Sequence, residues 1–165
     1  MSIFVTSDEQ KVQVYEIAGE MKRMGLSVHF ISACVEQAVH YEGTHDLMIL
    51  WREANSELDR NEVIADLQDE IDSRAESPKK PIKKPYLKYD DLEAIAKDIF
   101  RFKSALRKVV DRHGGISKLS ENTGIPQPSL SRFFSSASMP RRTTLYKIAE
   151  ALNLNEKEIL NEWVA

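Results

Sequence analysis

The segment "ESPKKPIKKP" at residues 76–85 constrains this chain more than any other. Its three prolines remove backbone donors and push their predecessors away from helix, while its four like-charged lysines repel one another. No packed element continues through such a stretch. The chain therefore divides into residues 1–75, a basic Pro/Lys linker at 76–88, and residues 89–165. The two sides differ in charge. Residues 1–75 hold 6 Lys and Arg against 15 Asp and Glu, a net −9, whereas residues 76–165 hold 17 against 11, a net +6. Between 78 and 147 the balance is 16 against 6, or +10, which suits a nucleic-acid partner.

The remaining composition sets limits. Apolar residues make up 42%, enough for packed cores in 165 residues, and no apolar run approaches the roughly 20 residues of a membrane span. "MSIFVTSDEQ" has no basic region followed by an apolar stretch, so no secretory signal is expected. Cys34 is the single cysteine, which excludes an intramolecular disulfide. These features fit a cytoplasmic protein.

Both sides read as helices, and the predicted class is all-α. Ser7 and Gln10 form a capping-box pattern ahead of Val14, Ile17, Ala18 and Met21 on one face, ending at Gly25. Met21 and Met24 read as core filler. Residues 28–41 carry a wide apolar stripe of Phe30, Ile31, Cys34, Val35 and Ala38, with a break expected at Gly43. Leu47, Leu50, Trp51 and Ala54 share the next predicted face. Asp59 and Glu62 resemble a cap before Val63, Ile64, Leu67 and Ile71. "IFVT" at residues 3–6 reads as a short strand. Four helices of this kind make a small bundle or a pair of hairpins.

Beyond the linker, Asp90 or Asp91 caps a long predicted helix bearing Leu92, Ile95, Ala96, Ile99, Leu106, Val109 and Val110, which stops at Gly114 and Gly115. Ser117 is expected to cap a short helix. "TGIPQPSLSRFF" follows: a turn glycine, Gly124, an apolar plug, Ile125, and two prolines, Pro126 and Pro128, around the first turn of another helix. Helix, glycine turn, helix is the helix-turn-helix unit. Past it, Pro140, Thr144, Leu145, Lys147, Ile148, Ala149, Ala151 and Leu152 reproduce a Pro…Thr-Leu-x-Lys-Ile-Ala-x-Ala-Leu pattern.

Over residues 102–162 the chain thus resembles the phage-repressor family, also called Cro/C1 or XRE. The resemblance implies that the second helix of the unit, about Gln127–Phe134, lies in the major groove of double-stranded DNA with its first residues at base edges. It places Gln127 where relatives read adenine. Ser129 and Ser131 are short enough for bases or phosphates, and Arg132 reaches guanine or a phosphate. Lys118, Arg141 and Arg142 fall where relatives contact phosphate, which positions the protein without reading sequence. Leu130 and Phe133 are expected in the core. Ser120 replaces the usual alanine at the helix crossing and is nearly as small, and Pro128 replaces a polar base reader, so base contacts there are fewer or limited to a thymine methyl.

The function implied is a sequence-specific transcriptional regulator of prokaryotic or phage type, cytoplasmic and nucleoid-associated. It acts as a homodimer on half-sites one helical turn apart, with the stripes at 30–38 and 47–54 as the interface. Two alternatives share the fold: an antitoxin whose residues 1–75 capture a toxin, and an adaptor that no longer binds DNA. An enzyme is not expected, nor a cofactor. Cys34, His40, Glu42, His45 and Asp46 offer zinc-type ligands, but Gly43 between the histidines denies them the shared helix face of an H-E-x-x-H site, so no metal is expected.

Overall fold

The computed structural model describes residues 4–76 and 92–154. The 76–88 linker and the caps at Asp90 and Asp91 fall almost wholly outside the described residues. Those described form eight α-helices and no strand. The described residues cluster into two compact units, residues 4–75 with 124–129 in one and residues 92–123 with 130–154 in the other.

The first unit runs α1 (Asp8–Arg23), α2 (Val28–Ala38), α3 (Glu42–Glu53) and α4 (Glu57–Glu76). Helix α1 starts with the expected capping box: the Ser7 hydroxyl accepts from the Gln10 N–H at 3.2 Å, and the Gln10 side chain accepts from the Ser7 N–H at 2.9 Å. These two bonds satisfy donors that a helix start otherwise leaves open. Ser27 caps α2 in the same manner through the Phe30 N–H. Helix α2 packs against both α1 and α3. Its stripe of Phe30, Ile31, Cys34 and Ala38 meets Val14, Ile17 and Met21 of α1, Met48 and Trp51 of α3, and Val63, Ile64 and Leu67 of α4 in one core.

Five expectations for this unit are corrected. Phe4, Val5 and Thr6 form no strand, because a strand needs an edge to pair with and the neighbours are helices. Thr6 instead donates its hydroxyl to the Val39 carbonyl. Gly43 does not break the chain: the turn falls at 39–41 and Gly43 lies in the first turn of α3, where the backbone N–H groups have no helical partner in any case. Ser56, not Asp59, caps α4, accepting from the Asp59 N–H at 3.0 Å, and Asp59 becomes a first-turn acid favoured by the helix dipole. Helix α3 is rotated from its predicted face. It buries Thr44, His45, Met48 and Trp51 and leaves Leu50 53% exposed, so the large Met and Trp side chains set its orientation. Met24 follows the end of α1 and is 57% exposed rather than core.

From residue 92 the chain runs α5 (Leu92–Arg112), α6 (Gly115–Thr123), α7 (Gln127–Ser135) and α8 (Arg142–Ala151). Ile99, Phe102, Lys103, Leu106 and Val110 of α5 are buried at helical spacing, together with Leu119, Ile125, Leu130, Ile148, Ala149 and Leu152. Helix α6 packs against α5 and α8. It begins at Gly115, so Ser117 lies inside it and does not cap it. Gly114, at φ +105°, turns the chain so tightly that a Cβ there would lie 2.9 Å from the Lys118 Cβ. Phe133 is half-buried, not core. Among the described residues no helix is long and apolar enough to cross a membrane.

Gly124 takes φ +75°, the left-handed region in which a Cβ crowds the backbone. Gly124→Ala is expected to destabilise the fold by about 1–2 kcal/mol, read as a lower urea midpoint with an unchanged slope. A wild-type midpoint would show that the turn carries no such constraint.

Candidate nucleic-acid interface

Helices α6 and α7 are joined by Gly124, Ile125 and Pro126. The Thr123 hydroxyl closes the end of α6 by donating to the Leu119 carbonyl at 2.7 Å. Ile125 is buried, and Gln127 opens α7 immediately after Pro126. Pro128, second in the helix, gives up a donor that the first turn would not have paired. The two prolines therefore define where α7 starts.

Leu130 of α7 is fully buried and orients the helix. Its exposed positions are Gln127, Ser131 and Ser135, spaced four apart and therefore on one stripe. Gln127 and Ser131 are two of the expected readers. Ser135, absent from the sequence-based set, continues the stripe and donates its hydroxyl to the Arg132 carbonyl at 3.3 Å. Arg132 is half-buried beside the stripe. Ser129 differs from the other α7 serines: its hydroxyl oxygen is buried and makes no hydrogen bond.

The three cations assigned to phosphate lie on α6 and at the start of α8. Lys118 is exposed and pairs with Glu121 at 3.2 Å. An exposed pair of this kind is worth little, and a phosphate competes with it readily. Arg141 is half-buried at the N-cap of α8, with φ −74° and ψ 139°. Arg142, the first residue of α8, donates from Nε and Nη2 to the Tyr146 hydroxyl oxygen at 3.1 and 2.8 Å, one turn further along.

Lys103 also escaped the sequence reading. Its ammonium donates to the Ser136 carbonyl at 2.8 Å and lies 4.8 Å from the Phe133 ring centroid, at the C-terminal end of α7. A lysine in a basic segment signals a solvated surface, and only its partner 33 residues downstream reveals otherwise. Burial lowers its pKa from the ordinary lysine value.

Among the described residues no three His, Cys, Asp or Glu side chains gather to hold a metal ion. Cys34 is buried, and loss of hydration pushes its thiol up to about 12. His45 is buried with Nδ1 3.5 Å from Asp46 Oδ1.

The helix-turn-helix family model matches residues 106–159, which contain the end of α5, all of α6–α8 and the stripe on α7. No curated protein and no solved structure matches the chain. Residues 106–159 thus match a helix-turn-helix domain, and the segment is similar to the Cro/C1 (XRE) type.

Proposed function

We propose that the chain is a sequence-specific transcriptional regulator that reads double-stranded DNA with α7. The observation that carries this reading is the exposed stripe of Gln127, Ser131 and Ser135 on the second helix of a glycine-turned pair, inside the matched segment. Gln127 is the base reader: its amide can donate to adenine N7 and accept from N6. Ser131 and Arg132 read or brace at neighbouring positions. Ser129, with its hydroxyl buried, contributes least. Lys118, Arg141 and Arg142 neutralise phosphates and set the register.

One nine-residue helix reads few base pairs, too few to select a site in a genome. The chain therefore acts as a homodimer on a near-palindromic site, with the acidic residues 1–75 as the assembly device, inside the cytoplasm and on the nucleoid.

Selection of bound duplexes from a random pool tests the reading, and the selected site should carry two related half-sites. Against that site Gln127→Ala is expected to lose about 1–3 kcal/mol, concentrated at one A·T pair in each half-site and much smaller on unrelated duplex. Equal losses on both would show that Gln127 reads no base. Failure to enrich any sequence would favour an adaptor that does not bind DNA.

A further inference from the structure

Lys103 is 1% exposed, a burial that lysine tolerates almost only when its charge is met. Its ammonium meets a carbonyl, a hydroxyl and an aromatic face: the Ser136 carbonyl at 2.8 Å, the Ser136 hydroxyl at 3.3 Å and the Phe133 ring at 4.8 Å. Ser136 is the first residue after α7, and its N–H donates to the Arg132 carbonyl at 3.0 Å. Its hydroxyl continues to Ser138 at 2.8 Å. One cation in the middle of α5 therefore closes the end of α7 and holds the first residue of the loop that leads to Arg141 and Arg142. The position suits a positive charge, because the last carbonyls of a helix carry the negative end of its dipole. An apolar side chain of similar length would fill the volume without the cost of desolvating an ammonium, so retention of the charge calls for a role in geometry. Lys103 also precedes the segment matched by the family model, so the match does not supply this role.

We propose that Lys103 is a positioning residue: it fixes the C-terminal end of α7 and the 136–141 loop, and thereby the angle at which α7 and the arginines at 141 and 142 meet DNA. This rests on the DNA-reading function proposed above. The side chain touches no DNA itself.

The test uses the full chain with Lys103→Met and Lys103→Arg. Amide exchange is followed over 132–141, and affinity is measured for the selected site and for unrelated duplex. A hydrogen bond to a charged group, once lost, is expected to speed exchange over 132–141 by about ten-fold or more in Lys103→Met, with α6 unchanged. Affinity for the selected site should fall by about ten- to a hundred-fold and that for unrelated duplex much less, so that their ratio drops. Lys103→Arg, which keeps the charge, should restore part of both. Wild-type exchange over 132–141 in Lys103→Met, or an unchanged affinity ratio, would overturn the proposal. If Lys103→Met does not fold, Ser136→Ala, which keeps the lysine and removes one acceptor, is read instead: faster exchange confined to 136–141 supports the proposal and wild-type exchange overturns it. If the wild-type chain selects no DNA, the function proposed above fails, while the exchange measurement still decides whether Lys103 holds the end of α7.

Discussion

Trp51→Ala is expected to unfold the α1–α4 unit at room temperature. The indole is 2% exposed and is the largest fully buried side chain among the described residues. Truncating such a ring costs about 3–5 kcal/mol through lost transfer energy and the cavity left behind. That approaches the whole stability of a small unit, about 5 kcal/mol at the low end of the usual range. Urea unfolding followed by circular dichroism should show the first transition displaced to little or no denaturant. Trp51→Phe separates packing from polarity. The indole Nε1 is buried without a hydrogen-bond partner, so phenylalanine removes an unsatisfied donor as well as volume. Its expected cost is below about 1.5 kcal/mol. Equal costs for Phe and Ala would mean that an unseen partner of the N–H, rather than the ring's bulk, holds this site.

The second large effect is alkaline. The Cys34 thiol, pushed up to about 12 by burial, stays protonated in the folded unit where an unfolded thiol, at about 9, ionises. Between those values the unfolded state binds fewer protons, so stability is intact below pH 9 and falls as pH rises, by about 1.4 kcal/mol per unit. The cumulative loss by pH 12 is about 4 kcal/mol. Cys34→Ala should flatten this part of the stability profile. A thiol-reactive dye should label Cys34 only as fast as the unit opens, since the thiolate is the nucleophile. Rapid labelling of the native chain at pH 8 would contradict both statements. Lys103 works in the opposite sense. Its lowered pKa means that the unfolded state holds the proton longer, so its contribution to stability is lost as pH falls through the folded value and returns as pH rises towards 10.5.

Much of this architecture was legible because it is local. The Ser7 and Gln10 cap needs only residues three apart, and the α2 stripe declares itself through helical spacing. The turn at Gly124 and Ile125 and the start of α7 were legible for the same reason, since positive φ and proline chemistry act over a few residues. Orientation was not local. Leu50 points outward while Thr44 and His45 are buried, and hydropathy ranks those three in the reverse order. Gly43 and Ser117 carried signals that suit a break or a cap, yet both residues are tolerated in a first helical turn. In the candidate interface, the exposed placement of Gln127 and Ser131 was visible from the motif. The buried Ser129 hydroxyl and the Lys103 anchor depend on packing that no spacing encodes.

The stripe on α7 also bears on how this scaffold could be retargeted. A randomised library aimed at new operators belongs at codons 127, 131 and 135, where side chains face outward and the core does not constrain them. Codons 128 and 130 should stay fixed, one to start the helix and the other to seat it. On the reading proposed above, the vocabulary of such a reader is short, and new specificity would come from combining two copies rather than from enriching one.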